Sequence, residues 1–64
     1  MFKIEFTDYV NYVKEMTVGY KWIKCNLDET TEKSCFKLYV GSSLHKYIDL
    51  EGDSNIPCVI TRIS

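Results

Sequence analysis

We expect a chain of 64 residues and 7.5 kDa to form one small domain over 1–64, which excludes a conventional nucleotide-binding fold and an enzyme cleft between two lobes. Its 45% hydrophobic, 14% aromatic and 27% charged residues are typical of a folded globular chain. Eight Lys or Arg residues against nine Asp or Glu residues give a net charge of −1, so no overall field attracts a nucleic acid or a membrane surface.

The first residues argue against a secretory leader or a membrane anchor. Lys3 and Glu5 interrupt the first apolar stretch, and no uncharged run approaches the roughly 18 residues that span a bilayer. The three cysteines cannot all pair with one another, which favours reduced thiols. We therefore expect a cytoplasmic protein with no membrane partner.

The composition also bears on the source of the gene. Residues with AT-rich codons, such as Lys, Ile and Tyr, are abundant, whereas Ala is absent. This bias is typical of a low-GC bacterium or a phage. A sheet-rich fold is an alternative explanation, because strands favour Ile, Tyr and Phe.

Two different periodicities open the chain. Phe2, Ile4 and Phe6 alternate with polar residues, which predicts a half-buried strand. From residue 8 to residue 16 the apolar spacing becomes that of a short helix, although the aromatic and β-branched residues there leave a second strand as an alternative. The residues that carry the helical spacing are Tyr9, Tyr12, Val13 and Met16.

The centre of the chain alternates again, which predicts a hairpin of strands 17–26 and 34–41. Pairing residues whose numbers sum to 60 places both apolar rows on one side of the sheet, which faces the core. It sets Tyr20 opposite Val40 and Trp22 opposite Leu38. Cys25 and Cys35 then become neighbours. The reverse face carries Lys21, Ile23, Lys37 and Tyr39.

The last third predicts a short helix within 42–52, with a strand over 47–51 as the alternative, and then a strand over 56–63. Pro57 lies near the start of that strand, where a missing donor does least harm. The fold class is therefore α+β, a small mostly antiparallel sheet of about four strands with one or two short helices in the order β-α-β-β-α-β. An antiparallel sheet with one packed helix is the alternative.

Residues with chemical potential lack the spacing that their chemistry needs. His45 is the single histidine, on a segment that we expect to be solvated. With Cys25, Cys35 and Cys58 it makes a Cys₃His set, but no pair has the short spacing of a zinc site. The run from Asp49 to Asn55 resembles half of a calcium loop and lacks the bidentate Glu. We expect no metal and no cofactor.

We therefore expect a non-enzymatic protein-binding module, and the bias in composition suggests a phage or mobile-element accessory protein that inhibits or modulates a host protein. Its predicted binding face consists of Lys21, Ile23, Lys37 and Tyr39, because mixed apolar and charged side chains suit a protein interface. Self-association is a further expectation. The alternative is a small nucleic-acid-binding regulator that uses Lys21, Lys24, Lys37 and Tyr39.

Overall fold

A computed structural model of the chain describes residues 1–7, 15–50 and 53–64. Within these residues the strands form one four-stranded antiparallel sheet, joined by two short helices. The predicted α+β class is therefore confirmed. In chain order the elements are β1 (Phe2–Phe6), β2 (Glu15–Val18), α1 (Tyr20–Asn26), α2 (Glu29–Phe36), β3 (Ser43–Leu50) and β4 (Asp53–Arg62).

The sheet has the strand order β2-β1-β4-β3, so the first and last strands are its two central strands. Ile4 lies opposite Ile60, and Phe6 lies opposite Cys58. All four side chains are almost completely buried. Paired residues of an antiparallel sheet point to the same side, so these pairs define an apolar inner face.

Both helices contribute to the same core as this inner face. Their buried residues are Ile23, Leu27, Thr31 and Cys35, spaced four apart from α1 through the connection into α2. Spacing of this kind places the side chains along one side of each helix. The opposite face of the sheet carries mainly charged and polar side chains, mostly half-buried on β1 and β4 and exposed on β3, so the described residues form two layers.

The segments 17–26 and 34–41 were predicted as strands, and this was wrong. Residues 20–26 form α1 and residues 29–36 form α2. The alternation of Val18, Tyr20 and Trp22 is compatible with a strand, but Val18 ends β2 and the helix begins after Gly19. In α2 the buried positions are Thr31 and Cys35, which do not stand out as an apolar stripe in the sequence.

The sequence of α2 contains local signals that are typical of a helix. Asp28 is its N-cap residue, Glu29 and Glu32 lie in its first turn, and Lys33 lies in its last, in agreement with the helix dipole. Lys33 Nζ lies 3.2 Å from Glu29 Oε1, one turn earlier. An exposed pair of this kind adds only a few tenths of a kcal/mol, about 0.3–0.5, so burial of the helix face decides its position.

The contacts that followed from the predicted hairpin are also absent. Trp22 packs from α1 against the core, and Leu38 lies in the loop after α2, so the two are not cross-strand partners. Cys25 is exposed on α1 whereas Cys35 is buried in α2. The register that summed to 60 does not exist, because neither segment is a strand.

The predictions for the segments on either side of the hairpin agree in part with the structure. The helix predicted over 8–16 lies mostly outside the described residues, and its last two residues, Glu15 and Met16, belong to β2. The short helix predicted within 42–52 was wrong, because residues 43–50 form strand β3, which includes most of the alternative strand over 47–51. Strand β4 includes most of the predicted final strand. The Pro57 carbonyl accepts from the Thr7 amide at 3.2 Å, just beyond β1, so the missing donor of Pro57 faces the end of that strand.

No helix in the described part of the chain is both long enough and apolar enough to cross a membrane.

Replacing Ile23 by Ala tests the position of α1. Ile23 has no exposed surface, so Ile23→Ala is expected to lower the free energy of unfolding by roughly 2–4 kcal/mol, measured by urea denaturation. Lys21→Ala on the same helix is the control, and we expect a change of about 0.5 kcal/mol or less. Equal effects of the two substitutions would contradict the observed packing of α1.

Candidate protein-binding surface

Four segments of the chain meet at one end of the molecule, which we call the basic end: residues 1–4, 17–22, 36–44 and 60–64. Phe2 lies opposite both Val18 and Arg62. The Gly41 amide donates to the Arg62 carbonyl at 2.7 Å. The start of α1 and the end of α2 therefore lie beside the first residues of β1 and the last residues of β4.

The basic end carries Lys3, Lys21, Lys37 and Arg62 and contains no Asp or Glu. At the other end, which we call the acidic end, α1 leads into α2 and β3 leads into β4. Its residues are 26–32, 46–50 and 53–56, with five carboxylates against the single cation Lys46. The net charge of −1 thus conceals two ends of opposite sign.

The basic end also collects exposed apolar side chains. Among the described residues, six large hydrophobic side chains are exposed, and five of them lie here; we call these five the apolar cluster. Tyr39 is the most exposed, at 83%. Concentration of apolar surface at one place is typical of an interaction site, whereas single exposed residues are not. The apolar cluster consists of Met1, Tyr20, Tyr39, Val40 and Ile63.

An aromatic chain connects the apolar cluster to the core. The ring of Tyr20 lies 4.5 Å from that of Phe36, measured between centroids, and Phe36 meets the buried Phe2 edge to face at 5.8 Å. Aromatic pairs at these separations are favourable beyond their buried area. Tyr20 is therefore held in place at the basic end.

Arg62 fixes the loop between α2 and β3. Its Nη1 donates to the Leu38 carbonyl at 3.0 Å, and its backbone amide donates to Ser42 at 3.0 Å. The Ser42 amide in turn donates to the Tyr39 carbonyl at 2.9 Å. Hydrogen bonds to a charged donor are the stronger kind, so the turn that presents Tyr39 and Val40 is anchored at both sides.

The structure separates the residues of the predicted binding face. Lys21, Lys37 and Tyr39 are all exposed at the basic end. Ile23 lies in the core between α1 and the sheet, so its inclusion in a binding face was wrong. It was included because a strand would place it beside Lys21 and Lys37, whereas one turn of helix carries it inward.

Sequence reasoning missed Tyr20, Val40 and Arg62 as part of this surface. Tyr20 and Val40 were placed in the core of the predicted hairpin. One signal was present in the sequence: residues 36–44, which include Lys37, contain no acidic residue. That segment alone, however, does not reveal which other segments lie beside it.

The thiols do not form a metal site in the described part of the chain. Burial raises the pKa of Cys58 from 9.0 to about 11, with a smaller contribution from the nearby Cys35. Burial also raises the pKa of Cys35, which the charge of Lys46 partly offsets. Both thiols are poor nucleophiles as a result. His45 is exposed on the outer face of β3.

The calcium-like run is divided by residues outside the described part. Asp49 Oδ1 accepts a hydrogen bond from the Asn55 amide at 3.1 Å, and Asn55 has a φ of 57°, which Asn tolerates better than most residues. Asp49 thus links β3 to β4 near the point where the register between the two strands shifts.

The raised pKa of Cys58 predicts a loss of stability in alkali. The folded-state pKa of Cys58 exceeds the unfolded value, so burial of the protonated thiol contributes fully to the stability of the fold below about pH 9. This contribution is lost as pH rises toward 11. The loss is on the order of 2 kcal/mol, from about 1.4 kcal/mol per pKa unit. Urea denaturation at pH 8 and pH 11 measures it.

Cys58→Ala is expected to lose less stability between pH 8 and pH 11 than the native chain. The control Cys25→Ser, at an exposed thiol, is expected to lose as much as the native chain. If Cys58→Ala lost as much stability in alkali as the native chain, the buried thiol would not be the cause.

Comparison of the chain with protein-family models, with curated proteins and with solved structures finds no match. The functional argument therefore depends on the chain's own residues and their arrangement.

Proposed function

We propose that this chain is a small, non-catalytic protein-binding module whose basic end contacts a partner with an apolar surface surrounded by acidic residues. The observation that carries the proposal is the coincidence of the apolar cluster with four cationic residues and no carboxylate side chain. Apolar and aromatic anchors supply most of the affinity of such interfaces, whereas charges at the rim set orientation and association rate.

Tyr39 is the proposed anchor of the interface. Its ring is 83% exposed, while its backbone belongs to the loop that Arg62 fixes. A side chain held on an ordered loop loses little freedom on binding. Lys21 and Lys37 are exposed on α1 and at the end of α2, where they provide the cationic rim.

The role in the cell follows from the proposal and from composition. A cytoplasmic module that covers or competes for a surface on a host protein needs no catalytic group, and the AT-rich composition suits an accessory protein of a phage or mobile element. The raised pKa values of Cys35 and Cys58 support a non-catalytic role, since catalytic cysteines have lowered pKa values.

A nucleic-acid-binding regulator remains the second candidate, because Lys21, Lys37 and Tyr39 are all exposed at the basic end. Two features favour a protein partner. Tyr20 is already in contact with Phe36, which leaves Tyr39 as the principal ring for base stacking. Met1, Val40 and Ile63 add exposed apolar surface, which phosphate groups do not complement.

The test is a matched pair of tyrosine substitutions. Partners are captured from the native host on the full chain, and Tyr39→Ala is compared with Tyr47→Ala, a similarly exposed residue on β3. Tyr39→Ala is expected to weaken the main complex by about 30-fold, equivalent to roughly 2 kcal/mol. Its thermal stability is expected to stay within about 1 kcal/mol of the native chain, and Tyr47→Ala to bind normally.

Equal binding by both variants would reject the basic end as the interface. Lys21→Gln with Lys37→Gln is expected to reduce the salt dependence of the complex, with Lys33→Gln as the control. A labelled single-stranded oligonucleotide provides the competing arm. If the oligonucleotide binds tightly and with a steep salt dependence, and the Lys21 and Lys37 variants lose this binding, the partner is a nucleic acid and not a protein.

A further inference from the structure

A cleft of about 430 Å³ opens at the acidic end of the molecule. It lies between the connection of the two helices on one side and the ends of β3 and β4 on the other. This volume is within the usual range of small-ligand pockets, about 300–1,000 Å³. Its lining residues along the helices are Asn26, Leu27, Asp28 and Thr31, and those along the strands are Lys46, Tyr47, Ile48, Asp49 and Asn55.

Lys46 is the one cation among these lining residues. It pairs with the buried Cys58 across the sheet, so it extends from the inner face of β3 toward the helices. It is half-buried, and within the described part of the chain its ammonium has no ion-pair partner. A lysine of this kind buries its aliphatic stem and leaves its ammonium free to meet an anionic group.

Two carboxylate residues, Asp28 and Asp49, also line the cleft. The Thr31 side chain lowers the pKa of Asp28, and the charge of Lys46 lowers it further. Lys46 thus acts on Asp28 through space, yet no ion pair joins them. On the strand side, the hydrogen bond from the Asn55 amide orients Asp49. The cleft therefore holds separated charges of both signs.

The remaining walls include apolar surface. Leu27 and Ile48 are buried residues of the core that also border the cleft. A ligand that fits this arrangement carries an anionic group, a cationic group and an apolar portion. The exposed lining of the cleft is more polar than apolar, so charged and polar groups provide most of what a ligand would contact.

We propose that this cleft binds a small zwitterion of the α-amino-acid class with an apolar side chain. The ligand carboxylate accepts hydrogen bonds from Lys46, its ammonium lies between Asp28 and Asp49, and its side chain packs on Leu27 and Ile48. This site lies at the opposite end from the proposed partner surface and does not depend on it.

The inward orientation of Lys46 has a second explanation, which the test must distinguish from ligand binding. An inward-pointing charge on an edge strand such as β3 discourages pairing with another chain. On that explanation, Lys46→Met promotes self-association, and neither the carboxylates of the cleft nor a ligand matters. Gel filtration and ligand titration of the same variant therefore distinguish the two explanations.

The experiment uses a matched series of probes on the native chain: L-phenylalanine, phenethylamine, which lacks the carboxylate, and 3-phenylpropionate, which lacks the ammonium. Binding is followed by the amide resonances of Asn26, Ile48 and Asn55. L-Phenylalanine is expected to bind best, and each truncated probe to bind about tenfold more weakly, because each loses a hydrogen bond to a charged group.

Variants of the chain then test the charge assignments. Lys46→Met is expected to weaken L-phenylalanine and 3-phenylpropionate about tenfold but not phenethylamine, and Asp49→Asn is expected to weaken L-phenylalanine and phenethylamine. Lys33→Met, at an exposed lysine of α2, is the control for Lys46→Met and should change nothing.

Absence of binding by all three probes to the native chain overturns the proposal, whatever the variants do. Equal binding of the three probes also overturns it, because the charges of the cleft would then play no part. Self-association of Lys46→Met with unchanged L-phenylalanine binding assigns Lys46 to protection of the sheet edge instead.

Discussion

The fold depends on one constraint: only one face of its sheet is apolar, and two short helices must cover it. The pairs of Ile4 with Ile60 and Phe6 with Cys58 fill the centre of that face. Helices of seven and eight residues are too short to be stable alone in water, so each depends on burying its row of side chains there. The outer face stays polar, and its exposed pair of Lys3 and Glu5, 3.6 Å apart, contributes little.

The same arrangement separates the charges. Because β1 and β4 are antiparallel neighbours at the centre of the sheet, the residues around Phe2 and Arg62 lie at one end. Helix α1 begins at that end and α2 returns to it, so the chain between Phe36 and Ser43 connects α2 to β3 there. The cations Lys21, Lys37 and Arg62 gather at this end, whereas Asp28 and Asp49 lie at the far end. A surface of this kind attracts acidic partners at a distance and orients them on approach.

The two edge strands carry features, within the described residues, that disfavour strand pairing. Strand β2 is only four residues long, and β3 carries the inward-pointing Lys46 and an irregularity near Asp49. Short edges, inward charges and bulges all discourage the addition of another strand. Self-association through strand pairing is therefore disfavoured, and the proposed surfaces lie at the two ends of the sheet. Lys46 can serve both as a protective charge and as part of the cleft, since both roles require it to point inward.

The sequence by itself determined the first and last strands of the chain and only some of the candidate surface. The alternation of Phe2, Ile4 and Phe6 has the period of a strand buried on one face, and a final strand over 56–63 was also predicted, so the α+β class and these two strands could be predicted. The hairpin predicted between them was wrong. Lys21, Lys37 and Tyr39 were identified as candidates, but on a hairpin that does not form. Only the tertiary structure decided that residues 20–36 are helical, because the buried row from Ile23 to Cys35 includes Thr31 and is recognisable only against the sheet that it covers. The separation of charge was equally hidden, since it arises from strand order and helix direction, which bring together residues far apart in the chain.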